Sequence, residues 1–379
     1  MDDYLQFVSV DNFQGSFNVK ELFAETLVPL IANKPFAQQL NLDLAARWAD
    51  YSGSGGIWAW KAGLNWQTTS ELRFRGTISR DIRAASLEER FDSQGQGASV
   101  SDPFLGDMNY TTFQIRGGNP NVNPEKADTF TVGAVYQPSF ASGLSVSLDW
   151  YSIKVKGAIS LLSVQTIVDT CYKTQDPEYC GRITRDSGSG LITNVQNTYI
   201  NVNHQKVSGF DLEADYNRDV KIFGGGAESI NARFLGSYMT KYAIGSTNYV
   251  GQVGTAFPGD GYPKFRGTAN LTYNNGPFGL FLQERFIGAA KNNVDYTTGV
   301  QIENNKVDPA YYTDLRVSYN FKGISNGDWE MYLNVTNLFD KNPPLVPSYS
   351  VFVGTGYGSN ERIYDLLGRR FTMGLRFRY

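Results

Sequence analysis

Hydrophobic and polar residues alternate along most of this chain with a period of two, the spacing that places successive side chains on opposite faces of a β-strand. The last segment is the cleanest: Phe371, Met373, Leu375, Phe377 and Tyr379 fall on one face, with Thr372, Gly374, Arg376 and Arg378 on the other. Leu144, Val146, Leu148 and Trp150 oppose Ser145, Ser147, Asp149 and Tyr151 in the same way. Trp58, Trp60, Ala62, Leu64 and Trp66 form another apolar face, opposite Lys61 and Asn65. The pattern predicts about thirteen strands, over residues 16–29, 38–50, 57–67, 70–80, 126–137, 143–156, 199–217, 228–242, 263–274, 278–289, 310–321, 328–337 and 364–379. Several approach the ~9–11 residues that cross a bilayer at a tilt.

The connections alternate in length. Residues 67–70, 138–143, 274–277 and 322–327 read as short turns, whereas 81–125, 157–198, 243–262, 290–309 and 341–363 read as long polar loops. Short turns on one rim and long loops on the other belong to a transmembrane β-barrel. A soluble sandwich or propeller also alternates. It would not carry Asp43 and Arg47, or Asp211, Glu213 and Asp215, in mid-strand against a packed core. Aromatics near the strand ends (Trp58, Trp66, Trp150, Tyr273, Trp329) suit the two interfacial girdles of a membrane barrel.

Composition agrees with a greasy exterior around a wet interior. The chain has 23 Tyr and 24 Phe among 379 residues, yet its mean hydropathy is −0.33. A net charge of −3 leaves no global basic excess for nucleic acid. No apolar run approaches the ~20 residues of a spanning helix. The start, Met1-Asp2-Asp3-Tyr4, lacks the pattern of a signal peptide.

Little points to catalysis. The single histidine, His204, has no partners at the spacing of a triad or a zinc site, and reads as a loop or lumen residue. Asp211, Glu213 and Asp215 lie on one strand face and read as hydrated lumen charges rather than a metal site. Neither a catalytic residue nor a cofactor is expected. Phe104, Tyr110, Phe113, Tyr349, Phe352 and Tyr357 are loop aromatics near polar residues, suited either to stacking on a ligand or to packing within their loops.

Local segments then narrow the class. Asn119-Pro120-Asn121-Val122-Asn123-Pro124-Glu125-Lys126-Ala127 resembles the "NPxLxPExA" segment of TonB-dependent receptors. Leu333-Asn334-Val335-Thr336-Asn337-Leu338-Phe339-Asp340-Lys341 resembles that family's "NVxNLFDK" segment. Tyr364-Asp365 and Gly368-Arg369-Arg370-Phe371 resemble the opening of its final strand. Arg73-Phe74-Arg75 through Ser79-Arg80-Asp81-Ile82-Arg83-Ala84 is similar to "RFRxxxSRDIRAP", with Ala85 in place of the proline.

The resemblance implies an all-β fold: an antiparallel transmembrane barrel, here a partial one of about 13 meandering strands from a parent of ~22. Residues 1–379 are then the C-terminal portion of the barrel, and the signal peptide, TonB box, plug and about nine strands are expected outside it. The implied location is the bacterial outer membrane, with lipid and the barrel-assembly machinery as partners. The alternating tail Phe371, Met373, Leu375, Phe377 and Tyr379 would be the assembly signal. TonB, with ExbB and ExbD, would act through the N-terminal region, and an unidentified ligand would bind from outside. The implied function is energised import of a scarce or bulky nutrient such as a siderophore, cobalamin, oligosaccharide or peptide. A passive porin or a structural surface barrel is the alternative. In that oxidising setting Cys171 and Cys180 read as a disulfide stapling a surface loop that otherwise has little core.

Overall fold

The computed structural model describes residues 8–10, 14–224, 227–245, 247–254, 261–322, 327–347 and 358–378. Thirteen long strands run in chain order as one antiparallel meander. They are β1 (Val19–Lys34), β2 (Ala37–Tyr51), β3 (Gly55–Gln67), β4 (Leu72–Arg83), β5 (Glu125–Tyr136), β6 (Leu144–Ser160), β7 (Ile200–Val220), β8 (Glu228–Ile244), β9 (Phe265–Asn275), β10 (Phe278–Ile287), β11 (Ala310–Lys322), β12 (Asp328–Thr336) and β13 (Arg370–Arg378). Among the described residues this wall does not close: β1 and β13 are its two edges. Each predicted strand is present, but two are displaced. The first runs past Pro29, which an edge strand tolerates where a bulge interrupts the ladder between Pro29 and Ile31. The last starts at Arg370 rather than 364, because Tyr364 is buried among the loops.

The faces of the wall are inverted relative to a soluble sheet. Phe371, Met373, Leu375 and Phe377 project from β13 and are at least half exposed. The same outer face carries Trp58, Leu64, Phe74, Leu148 and Leu212, all exposed. Aromatics cluster near the short-turn rim: Trp66 lies against Phe74, Phe321 stacks on Trp329, and Trp329 meets Phe377. The inner face is polar and braced by ion pairs. Arg75 grips Asp149 with two hydrogen bonds of 2.7 and 2.5 Å, reaching over β5 at Gly133. A Cβ at Gly133 would collide with that carboxylate, so glycine keeps the path open. Arg233 and Glu213 approach to 2.6 Å, and Glu330 takes both Arg316 and Arg376. Exposed to water, each such pair contributes about 0–1 kcal/mol. In lipid the backbone ladder is the larger constraint, because water does not compete for its hydrogen bonds.

Candidate functional site

The loop that carries the two cysteines has a core, and this corrects the expectation of a stapled loop with little core. Residues from the β4–β5 and β6–β7 connections, with a short strand that precedes β1, build a five-stranded sheet over one end of the wall, here called the crown. Its order is Val8–Val10, Ser93–Asp102, Met108–Gly117, Ile192–Thr198 and Ile183–Arg185. Three of its four pairings are antiparallel, and Met108–Gly117 runs parallel to Ile192–Thr198.

Three helices accompany it: α1 (Leu87–Phe91), α2 (Val164–Thr174) and α3 (Pro177–Cys180). Ser163 caps α2 by accepting from the Thr166 amide at 3.0 Å. Val164, Ile167, Val168 and Cys171 form its buried stripe, spaced i, i+3, i+4 and i+7. Against them pack Ala98, Val100, Ile192 and Val195 from the sheet, giving the crown a core of its own. Cys171 and Cys180 are bonded, with Cα atoms 4.9 Å apart, and tie α3 to the end of α2.

The polar centre of the crown is Asp102, whose side chain is fully buried. Arg185 donates to its two oxygens at 2.6 and 2.9 Å, Tyr110 donates at 2.8 Å, and the Phe104 amide adds a fourth contact. Burial works to raise the pKa of this carboxyl, but the hydrogen bonds from Arg185 and Tyr110 outweigh it and hold the group below the ordinary aspartate value. Tyr110 also accepts from the Ile192 amide at 2.9 Å. It is therefore a packing and bracing residue, not a free stacking surface.

Phe104 differs. It is 44% exposed, meets Tyr172 edge-on with centroids 4.9 Å apart, and lies under the Arg185 guanidinium at 4.9 Å. Phe113 is also exposed, but its ring covers Gly95 on the open face of the sheet. Tyr349, Phe352 and Tyr357, like Tyr379 at the tail, lie outside the described residues. Sequence reasoning missed Tyr172 and Arg185. Tyr172 adjoins a bonded cysteine on a helix whose stripe was readable, whereas nothing local marks Arg185.

A second loop cluster joins the connections after β8, β10 and β12. Val253, Val307, Val346 and Tyr364 pack on Ile287 and Tyr312 at the tips of the wall. Asn360 donates to the Val253 carbonyl at 2.8 Å across this cluster. Burial pushes the Tyr364 hydroxyl up to about 12, so it stays neutral. Of the carboxylates on β7, Glu213 is held by Arg233 and Asp215 accepts from Asn231 at 3.3 Å. His204 is neither in a loop nor in the lumen: it is exposed on β7, in register with Lys156 on the outer face. Among the described residues no three His, Cys, Asp or Glu side chains converge as metal ligands would.

The sequence pattern described as TonB dependent receptor-like, beta-barrel matches residues 2–338. The chain belongs to that family. Its wall is accordingly a β-barrel wall of the bacterial outer membrane, and the family is one of receptors. A curated relative, the heme/hemopexin utilization protein C of Haemophilus influenzae, is 24% identical over 354 residues, covering 87% of this chain and 43% of that protein. A ferric enterobactin receptor of Pseudomonas aeruginosa is similar in structure, with 18% identity and a TM-score of 0.63 over 95% of this chain and 44% of that one. The siderophore receptor PirA of Acinetobacter baumannii gives 14% identity and a TM-score of 0.64, covering 95% and 45%. The chain thus spans less than half the length of each of these relatives.

Proposed function

We propose that this chain is the C-terminal wall and ligand-capturing surface of an energised outer-membrane importer, and that the cargo is an iron carrier with aromatic or planar character. The observation that carries the reading is the exposed pair Phe104 and Tyr172 beside the partly buried Arg185, mounted on an ordered crown at the long-loop end. Two aromatic faces with a guanidinium suit an anionic aromatic chelate or a macrocycle. Asp102 and the disulfide hold the three side chains in place before ligand arrives, which reduces the ordering cost of capture. Relatives named for haem and siderophore uptake support this cargo over cobalamin, oligosaccharide or peptide. Energy coupling through TonB, ExbB and ExbD belongs, in this reading, to the remainder of the receptor.

The test is growth of an iron-starved host, lacking its own receptors, that produces the full receptor and is fed haem or a ferric catecholate. Growth that requires TonB is the expected result. Phe104→Ala with Tyr172→Ala weakens ligand binding by about tenfold, since truncated aromatic anchors cost ~1–2 kcal/mol. Uptake that persists without TonB and admits small solutes indiscriminately would instead mark a passive pore.

A further inference from the structure

The outer face of the wall changes character towards the crown, and the strand register lets the change be followed row by row. One row across β5 to β9 is apolar: Val132, Trp150, Phe210, Tyr238 and Phe265. The next row towards the loops replaces most of this with Phe130, Ser152, Ser208 and Lys241. A third row is Arg80, Asp128, Lys154 and Lys206. Beyond it stand Lys126, Lys156 and His204. From Phe210 to Lys206 the chain climbs about 13 Å along the strand, or roughly 10 Å in height at a barrel tilt of ~40°. That rise takes the surface from hydrocarbon into the headgroup layer.

The charges in these rows do not cancel. Asp128 is their one carboxylate, and it holds Arg80 at 2.6 Å and Lys156 at 2.8 Å. Lys126, Lys154, Lys206 and Lys241 form no ion pair among the described residues. Lys264, just before β9, adds a further cation over the Tyr238 ring at 5.2 Å. The whole chain carries more acidic than basic residues, 37 against 34, so this local excess is a matter of placement. The belt spans five strands, about 20 Å at ordinary strand spacing.

We infer that this belt docks a phosphorylated lipid headgroup of the outer leaflet. Lysines at the bilayer surface gain roughly fivefold in affinity each from an anionic headgroup, and an apolar row lies directly below to receive the acyl chains. The inference rests on the lipid-facing exterior alone and is independent of which cargo the crown captures.

The probe is diphosphorylated lipid A, added to the intact receptor after delipidation in detergent and read by native mass spectrometry. Wild-type protein retains it, releases its dephosphorylated counterpart, and is not stripped by millimolar inorganic phosphate. The variant K126Q/K154Q/K206Q/K241Q loses retention by at least about tenfold, whereas K221Q/K322Q at the short-turn rim does not. Arg80, Asp128 and Lys156 stay intact so that the strands remain braced, and heat-modifiable gel migration checks the fold. Should that variant fail to fold, salt serves instead: raising ionic strength from about 0.05 to 0.5 M must weaken retention by wild type. Unchanged retention in the folded variant, salt independence or equal binding of the dephosphorylated lipid would overturn the inference. Displacement by inorganic phosphate would do so too, reassigning the belt to free anions.

Discussion

Met373 in the wall and Val168 in the crown are both apolar, yet one is 80% exposed and the other wholly buried. Below its basic upper rows the wall turns apolar side chains outward to lipid and keeps its charges inside, joined across strands as Arg75 joins Asp149. The crown, inserted between wall strands of the same chain, does the reverse: α2 closes over the sheet as in any water-soluble domain. The two regions therefore depend on different solvents. Damage to the crown core should disorder the crown and spare the wall. Damage to the outer face of the wall should register only when a charge enters lipid.

The largest expected effect tests that separation at the crown's polar centre. Asp102→Ala leaves Arg185 without its buried partner and destabilises the crown by about 3–5 kcal/mol. Limited proteolysis should then cut within 161–199, while heat-modifiable migration of the barrel persists. If crown and barrel fail together, the separation is wrong. Ile167→Ala removes a buried side chain from the same core and costs about 3 kcal/mol by the same readout. Reducing the disulfide between Cys171 and Cys180 should cost the crown about 2–3 kcal/mol, lowering ligand affinity without loss of the barrel.

A smaller effect should appear with pH. The Asp102 carboxyl titrates below its unfolded value of ~3.9, so its contribution is fully present above that value and disappears as pH falls through the depressed one. Protease protection of the crown should hold at pH ~5 and fade only at the acid end, faster than wall stability. The smallest effect belongs to the exterior: Met373→Leu, a volume-conserving change at the lipid face, should alter barrel thermostability by under ~0.5 kcal/mol.

The wall was legible because each of its strands carries its own instruction. In β13 the alternation from Phe371 to Phe377 specifies strand, face and register without reference to distant sequence. The crown was not legible for the opposite reason. Its strand Ser93–Asp102 is mostly Gly, Ser and Gln, and only Ala98 and Val100 face its core. What makes it a strand is its hairpin partner Met108–Gly117 and the α2 helix that another loop lays over it, so tertiary packing overrides weak local propensity. The candidate site followed the same division. Phe104 was readable as a loop aromatic, but its neighbours Tyr172 and Arg185 reach it only through folding. Tyr110 looked equivalent in sequence and proved to be internal bracing. His204 was misplaced because the polar run around it reads as a loop, although β7 extends upward through it.

The parallel ladder between Met108–Gly117 and Ile192–Thr198 carries a consequence for timing. Thr112 closes its hydrogen bond on Ile192, 80 residues further along the chain. Between them the chain must run down β5 and return up β6. The first half of the crown thus has nothing to close upon until that hairpin stands, and such distant pairings form late. A chain caught midway through assembly would present an unfinished crown, so protease protection of the crown at the cell surface would report that this part of the wall is complete.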